Sequence, residues 1–234
     1  MTGQSFYNSL IGESWANLMS EYLVTKDLER IANYISKQRS NGVSIIPPAG
    51  NNVTFKVFNM LPPERVKVVI LGQDPYPQDD PIIATGIAFD CANTHVPQPS
   101  LRNIINEIVR EYPQKITLDR GDLSYLVKQG VFLANTALTV EADKPNSHKA
   151  LWKNFTIGWI KALQNMQDKV WLLMGREAQA YSMYITNPSH YIVKTSHPSP
   201  LGVSKAAPIP FENSDCFKII NRELLARNIN SINW

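Results

Sequence analysis

Four short apolar runs stand out along the chain, at residues 66–71, 131–134, 170–174 and 191–193. Apart from Lys67 in the first run, every position in these runs is apolar, which is typical of strands that are covered on both faces. Apolar residues at helical spacing fill the segments between and after the runs, at about residues 101–111, 151–164, 176–184 and 216–227. Strands and helices therefore alternate. This order predicts an α/β fold, a three-layer α/β/α sandwich with a central, mostly parallel four-stranded sheet.

A further helix is indicated by an apolar stripe near the N-terminus. Its positions follow the spacing i, i+3, i+4, i+7 and i+8, which is one face of a helix. They are Trp15, Leu18, Met19, Tyr22 and Leu23. The pattern predicts one helix that continues to about Gln38, with Gly42 as a stop signal beyond it.

The composition is that of an ordinary globular protein. The chain has 234 residues and a net charge of +3, so we expect one domain over residues 1–234 and a monomer. No apolar run has the length of a membrane span, and the start of the chain does not resemble a secretory signal. Two cysteines, Cys91 and Cys216, cannot form a four-thiolate metal or iron–sulfur site. Reduced thiols fit a cytoplasmic protein, or a nuclear one for a virus that replicates in a nucleus.

Polar side chains follow three of the four predicted strands. Gln73 and Asp74 come after the first strand, Asn135 after the second, and His197 shortly after the fourth. The carboxyl ends of parallel strands share one edge of a sheet, where ligands bind in open α/β folds. The sequence therefore predicts that these side chains meet in one cleft.

Each of these residues also has an ordinary structural interpretation. Asp74 before Pro75 fits a turn in which the carboxylate accepts from nearby amides, and Asn135 fits a loop brace. The functional alternatives are a carboxylate beside a reacting centre and an amide that matches the edge of a nucleobase. Taken one at a time, the residues leave both interpretations open.

Two proline-rich loops carry small hydroxyls to the same predicted edge. In residues 196–201, prolines would hold His197, Ser199 and Leu201 in nearly fixed geometry, which suits phosphate contact and insertion between bases. The alternative is a structural turn with an exposed leucine. Ser100 lies where an N-cap would precede the next helix, although a helix start can also bind phosphate.

Seven separated segments together resemble the classical monofunctional family of uracil-DNA glycosylases. The likeness extends over roughly residues 15–234, in the family's order and approximate spacing. The segments are Gly72–Tyr76, Gly86–Phe89, Pro99–Leu101, Gly130–Asn135, Leu138–Val140, Asn146–Lys149 and His197–Leu201, and Ile232–Trp234 is similar to the family's C-terminal region.

The resemblance implies a DNA repair enzyme that flips uracil out of DNA and hydrolyses its N-glycosidic bond, leaving an abasic site, without a metal or cofactor. Asn135 would pair with the uracil edge, Phe89 would stack on the base, and Gln73 would line the pocket. Tyr76 would exclude thymine by closing the pocket against its methyl group.

The resemblance also implies catalytic and DNA-contacting residues. Asp74 would orient the attacking water and stabilise the sugar cation, and His197 would stabilise the leaving uracil anion. The implied DNA contacts are Ser100, Ser147, His148, Ser199, Leu201 and Lys205. The implied partners are uracil-containing DNA, single- or double-stranded, a replication or processivity protein, and a protein inhibitor that mimics DNA.

The chain departs from the usual family pattern at three places. Pro77 stands where most members carry a histidine, and the following segment, residues 78–85, is longer than usual. Gly202 replaces a common serine, and residues 205–213 form an extended segment. We expect these differences to lower DNA affinity or to alter strand preference while activity is kept.

Other classes of protein fit the sequence less well. An iron–sulfur glycosylase needs four cysteines, and a mismatch-directed relative typically lacks the carboxylate and the blocking ring of Asp74 and Tyr76. A processivity scaffold with the same fold has no need of Asp74, Asn135 and His197 together. A metal-dependent phosphodiesterase would need a cluster of histidine and aspartate ligands that the sequence does not offer.

Overall fold

The computed structural model describes residues 10–22, 25–49, 53–78, 83–91, 97–114, 121–202 and 209–234, without the side chains of residues 25 and 26. Its strands are β1 (Ile45–Ile46), β2 (Val68–Gly72), β3 (Val131–Asn135), β4 (Val140–Glu141), β5 (Val170–Met174) and β6 (Tyr191–Thr195). Its helices are α1 (Glu13–Leu18), α2 (Thr25–Ser40), α3 (Lys56–Met60), α4 (Pro99–Glu111), α5 (Ser124–Lys128), α6 (Lys149–Gln164), α7 (Gly175–Gln179) and α8 (Cys216–Ala226), with 3-10 turns at Pro63–Arg65 and Ala180–Tyr184.

The four predicted strands form one parallel sheet in the order β3-β2-β5-β6. Three of them are buried nearly throughout, because helices cover both faces of the sheet. In the pairing of β2 with β3, Gly72 lies opposite Asn135. The carboxyl ends of all four strands therefore reach the same edge. A separate antiparallel pair joins β1 to β4.

Aromatic and aliphatic side chains fill the two layers between sheet and helices. On one face, Trp159 of α6 packs against Phe132 and Trp171, with ring centroids 5.4 and 6.4 Å away. On the other face, side chains of the sheet and of two helices enclose a small apolar space. They are Ile70, Leu133 and Leu172 from the sheet, Ile104 and Ile108 from α4, and Phe217 from α8. The three-layer α/β/α sandwich that the sequence predicts is confirmed.

The N-terminal helix is shorter than the sequence predicts. The predicted face is buried at Trp15 and Met19, but α1 ends at Leu18, and a separate helix begins at Thr25. The indole of Trp15 donates to the carbonyl of Leu61 at 2.8 Å, which ties α1 to the C-terminal end of α3. Helix α2 packs against α6. Periodicity alone does not show such a break between helices.

No helix in the described ranges is long and apolar enough to cross a membrane. No group of three or more histidine, cysteine, aspartate or glutamate side chains in those ranges could hold a metal ion.

Candidate active site

The carboxyl edge of the sheet opens into a pocket of about 220 Å³. The end of β2 supplies Gln73 and Asp74, the end of β3 supplies Asn135, and His197 follows β6 by two residues. Other predicted residues that line the pocket are Tyr76, Phe89 and Ser100. The structure therefore brings together seven of the predicted site residues from distant parts of the chain.

A glycine at the end of β2 makes room for Asn135. A Cβ atom on Gly72 would lie 2.1 Å from Oδ1 of Asn135 and 2.9 Å from the Cβ of Ala88. The amide of Asn135 would have to leave its position at the end of β2, and the Cβ of Ala88 would be in close contact as well. The absence of a side chain at residue 72 thus allows the amide of Asn135 to lie across the end of β2 and face the pocket.

The carboxylate of Asp74 is half-buried and held by two donors. Its Oδ2 accepts from the main-chain N–H of Asn146 at 2.6 Å, and its Oδ1 accepts from Nε2 of Gln73 at 3.3 Å. Burial raises the pKa of Asp74 above its ordinary value, and the hydrogen bond from Asn146 opposes that rise. The shorter bond fixes Oδ2, so Oδ1 is the oxygen more free to bind a water molecule.

Two aromatic rings form a fixed wall of the pocket. The hydroxyl of Tyr76 donates to the carbonyl of Phe89 at 2.9 Å, which locks the two segments together. Burial raises the pKa of Tyr76, so the phenol stays protonated. Phe89 has a φ of 66°. Such a left-handed conformation is a genuine outlier for a bulky residue and occurs mostly where the surrounding structure enforces it.

His197 is oriented by the turn that follows it. The main-chain N–H of Ser199 donates to Nδ1 of His197 at 3.0 Å. A nitrogen that accepts carries no proton, so the neutral ring has its proton on Nε2. Burial lowers the pKa of His197, which favours the neutral form at physiological pH. The imidazole therefore offers an N–H donor without a positive charge.

Glycines on both sides allow this placement of the ring. A Cβ atom on Gly175 would lie 2.9 Å from the Cβ of His197, and one on Gly202 would lie 2.8 Å from the carbonyl oxygen of His197. Gly202 also donates its N–H to the carbonyl of Ser199 at 2.8 Å and closes the turn. The replacement of a serine by Gly202 is thus compatible with a tight turn around His197.

The loop of residues 197–201 projects from this edge towards solvent. Leu201 is 81% exposed at its tip. The side chain of Asn103, on α4, donates to the carbonyl of Pro198 at 2.7 Å and supports the base of the loop. Ser100 lies on the same helix, so α4 connects the loop to the pocket wall.

Ser100 is not the N-cap of its helix. Helix α4 begins at Pro99, and Gln98 is the N-cap residue. Proline is favoured at a first helical position because its missing N–H needs no partner there. The capping alternative for Ser100 is therefore wrong, and its side chain lines the pocket.

His148 does not lie on a solvated loop. It is only 1% exposed, and its Nδ1 is 2.8 Å from Oγ1 of Thr139. The indole of Trp152 donates to the same Oγ1 at 2.7 Å, so the Thr139 hydroxyl ties both rings together in the core. A ring buried in this way cannot reach DNA, so the predicted contact at His148 is corrected to an internal one.

Two further predicted contacts have different outcomes. Ser147 stays near the surface, where its Oγ accepts from the main-chain N–H of Glu141 at 2.8 Å. Lys205 lies outside the described residues, as do its neighbours over residues 203–208.

Three residues of the site were not predicted from the sequence. Asn146 contributes a main-chain donor, which no side-chain pattern can indicate. Asp90 lines the pocket with a buried carboxylate that accepts from the Thr85 hydroxyl and from the N–H of Leu123. Arg176 is an exposed residue that lines a second pocket, of about 140 Å³. This pocket shares Gln73 and His197 with the first.

Comparisons with known proteins are consistent with this geometry. A family model described as the uracil DNA glycosylase superfamily matches residues 58–225. A uracil-DNA glycosylase of Dichelobacter nodosus is 38% identical over 229 residues, which is 97% of this chain and 96% of the relative. A uracil-DNA glycosylase of Caenorhabditis elegans is 35% identical over 228 residues, 96% of this chain and 78% of the relative.

Solved structures show the same architecture. A mimivirus UNG variant in complex with UGI superposes with a TM-score of 0.83 at 29% identity, covering 94% of this chain and 87% of that one. The mimivirus uracil-DNA glycosylase itself has a TM-score of 0.78 at 28% identity and covers 92% of this chain and 88% of that one.

Proposed function

The chain belongs to the uracil DNA glycosylase superfamily, and on this premise we propose how its own residues bind and excise uracil. Enzymes of this family hydrolyse the N-glycosidic bond of uracil in DNA without a metal, as a step of base excision repair. The observation that carries the assignment of roles is the convergence of Asp74, Asn135 and His197 on one pocket. Residues 1–234 would act as a single catalytic domain.

The pocket is suited to a small pyrimidine. Asn135 offers an acceptor and a donor side by side, which matches the N3–H and O4 of uracil and mismatches the reversed pattern of cytosine. Phe89 stacks on the flipped base, and Gln73 lines the pocket beside it. Because its hydroxyl is tied to the carbonyl of Phe89, the ring of Tyr76 cannot swing away and blocks the methyl group of thymine.

Bond cleavage places positive charge on the sugar and negative charge on the leaving base. Asp74 stabilises the sugar cation and orients a water molecule, with burial and two hydrogen bonds fixing its carboxylate. The Nε2–H of His197 donates to O2 of uracil as negative charge develops there. A neutral imidazole is sufficient for this task, because the donor is aimed in advance.

The surrounding loops would hold the DNA backbone. Ser100, Ser147 and Ser199 contact phosphates, and Leu201 enters the space that the flipped base leaves. Arg176 adds a cation beside His197. Lys205 keeps its predicted role as a backbone contact.

The remaining expectations about partners and location follow from the family. We propose a cytoplasmic monomer, or a nuclear one in a virus that replicates in a nucleus, that acts on single- or double-stranded DNA. A replication protein and a protein inhibitor that mimics DNA are the proposed protein partners. The inhibitor is supported by the solved complex of a mimivirus UNG variant with UGI.

A strand-scission assay tests the proposal. The protein is incubated with a uracil-containing oligonucleotide in EDTA and then treated with alkali, and strand breaks are expected at the uracil alone. A matched oligonucleotide with thymine and an Asp74→Asn variant serve as controls. Loss of the carboxylate should lower the rate by about a thousandfold, within the usual range for a general base. Intact strands after treatment with folded wild-type protein would contradict the proposal.

A further inference from the structure

The residues between β3 and α6 form a closed loop, residues 139–148, which we call the docking loop. Its two ends are joined by the hydrogen bond between Thr139 and His148, at 2.8 Å, in a fully buried position. The indole of Trp152, on α6, donates to the same Thr139 hydroxyl at 2.7 Å. A second link, from the N–H of Glu141 to Oγ of Ser147, crosses the loop at 2.8 Å. The docking loop is therefore anchored in the core by its closed base.

The docking loop presents two main-chain donors to the segment that carries Asp74. The N–H of Asn146 donates to Oδ2 of Asp74 at 2.6 Å, and the N–H of Asp143 donates to the carbonyl of Pro77 at 2.7 Å. Both donors have left-handed backbones, with φ values of 67° at Asn146 and 57° at Asp143. Asparagine and aspartate tolerate this conformation better than other residues with a side chain.

We propose that Asn146 is a positioning residue for uracil excision, whose main-chain N–H, aimed by the docking loop, fixes the carboxylate of Asp74. With Oδ2 held at 2.6 Å by Asn146, Oδ1, whose bond from Gln73 is longer at 3.3 Å, is the oxygen that faces the attacking water. The inference rests on the proposed role of Asp74. The inference also explains the hydrogen bonds of His148 and Ser147, which close the docking loop and so hold Asn146 in place.

The charges around Asp74 make this single amide important. The other titratable groups that line its pocket are Asp90, Tyr76 and His197. On the docking loop, Lys144 pairs with Glu141 at 2.7 Å. In the described ranges, no lysine or arginine forms an ion pair with Asp74. The hydrogen bond from Asn146 is thus the main support for the ionised carboxylate against the effect of burial.

An Asn146→Val substitution tests the contact. Valine disfavours a φ of 67°, so the backbone should shift and withdraw its N–H from Asp74. The matched control is Asn228→Val, which places the same strain at a φ of 56° after α8, away from the pocket. Thermal melting checks that both variants fold, and Asn146→Gly, which accepts positive φ, should lie closer to the wild type than Asn146→Val does.

The decisive measurement is a carbon-13 NMR titration of the aspartate carboxyls. The pKa of Asp74 should rise by about one unit in Asn146→Val, since each lost amide bond weakens the ionised form by roughly that much. The pKa of Asp90 should not change, and neither pKa should change in Asn228→Val. Because Asp74 must be ionised to act, the acid limb of the kcat/KM profile should move to higher pH. At neutral pH, kcat/KM should fall by about tenfold to a hundredfold.

A second variant covers the case in which Asn146→Val fails to fold. An ester in place of the peptide bond before Asn146 removes the N–H while keeping the asparagine side chain, and it should give the same shift in the pKa of Asp74. In an Asp74→Asn background, either change should have no further effect on the rate. If the wild type is active but the pKa of Asp74 is unchanged in the Asn146 variants, this inference alone is overturned. An inactive wild type contradicts the proposed function.

Discussion

The pocket wall and the projecting loop are built in opposite ways. The pocket wall, formed by Tyr76, Phe89 and Asn135, is fixed by the parallel register that places Asn135 beside Gly72 and by the partly buried hydrogen bond of the Tyr76 hydroxyl. The loop of residues 197–201 is held by a few hydrogen bonds and exposes Leu201 at its tip. Recognition of a small base needs placement within fractions of an ångström, which a sheet edge provides. Contact with a long, flexible substrate is better served by a protruding loop.

This contrast predicts that changes in the pocket wall affect all substrates, whereas changes in the loop affect mainly duplex DNA. The duplex requires flipping and leaves a gap to be filled, and a single strand does not. Measurements of kcat/KM on matched single- and double-stranded oligonucleotides separate the two effects.

The largest effect is expected from Gly72→Ala. The added methyl group would lie 2.1 Å from Oδ1 of Asn135, so the amide that reads the base must move. We expect kcat/KM to fall on the order of a hundredfold on both single and double strands. Stability should fall by about 1–3 kcal/mol through overpacking. Gly42 has a φ of +80° and open space around an added Cβ, so Gly42→Ala is a control for a stability loss that leaves the pocket unchanged. A Gly72→Ala variant with normal activity would show that Asn135 is not held at the end of β2 as described.

The next effect concerns specificity and is expected from Tyr76→Ala. Removal of the ring opens the pocket on the side of the thymine methyl group, and a rejected methyl is worth about tenfold to two-hundredfold in discrimination. Release of thymine from a thymine-containing oligonucleotide should become measurable. Tyr76→Phe is the matched control, because it keeps the ring and loses only the bond to the carbonyl of Phe89. Strict uracil preference in Tyr76→Ala would mean that another group excludes thymine.

A smaller and more selective effect is expected from Leu201→Ala. The side chain is 81% exposed in the free protein, so its removal should not change the stability. On duplex DNA, kcat/KM should fall by about tenfold, since an apolar wedge offsets the cost of unstacking. On a single strand the change should be slight, and inhibition by free uracil should equal that of the wild type. Equal losses on both strands would remove the distinction between pocket wall and loop.

The features that the sequence predicts are those that depend on local patterns. Apolar runs mark the strands, and position at a strand end places Asp74, Asn135 and His197 at one edge. The features that it does not predict depend on contacts between distant segments. His148 stands beside a lysine and looks solvated, but its environment is decided by Thr139 and a helix of the core.

Main-chain contacts are a second limit on what a sequence shows. The donor to Asp74 is an amide, which every residue except proline carries, so residue type does not reveal it. The asparagine itself is a weak hint, because asparagine tolerates the positive φ that residue 146 adopts. Asparagine is equally common in ordinary turns, so its presence does not mark a functional contact.

The smallest effect is expected from Asn103→Ala, which removes the support of the loop without touching the pocket. Loss of the 2.7 Å bond to the carbonyl of Pro198 leaves one partly buried acceptor unpaired, at a cost of about 1 kcal/mol. The loop then samples more conformations, and kcat/KM on duplex DNA should fall by a few fold, while the rate on a single strand changes less. Asn106→Ala, on the exposed side of the same helix, is the matched control for a change of helix propensity. If the two variants behave alike on both substrates, Asn103 does not support the loop, and the bonds within residues 197–202 are sufficient to hold it.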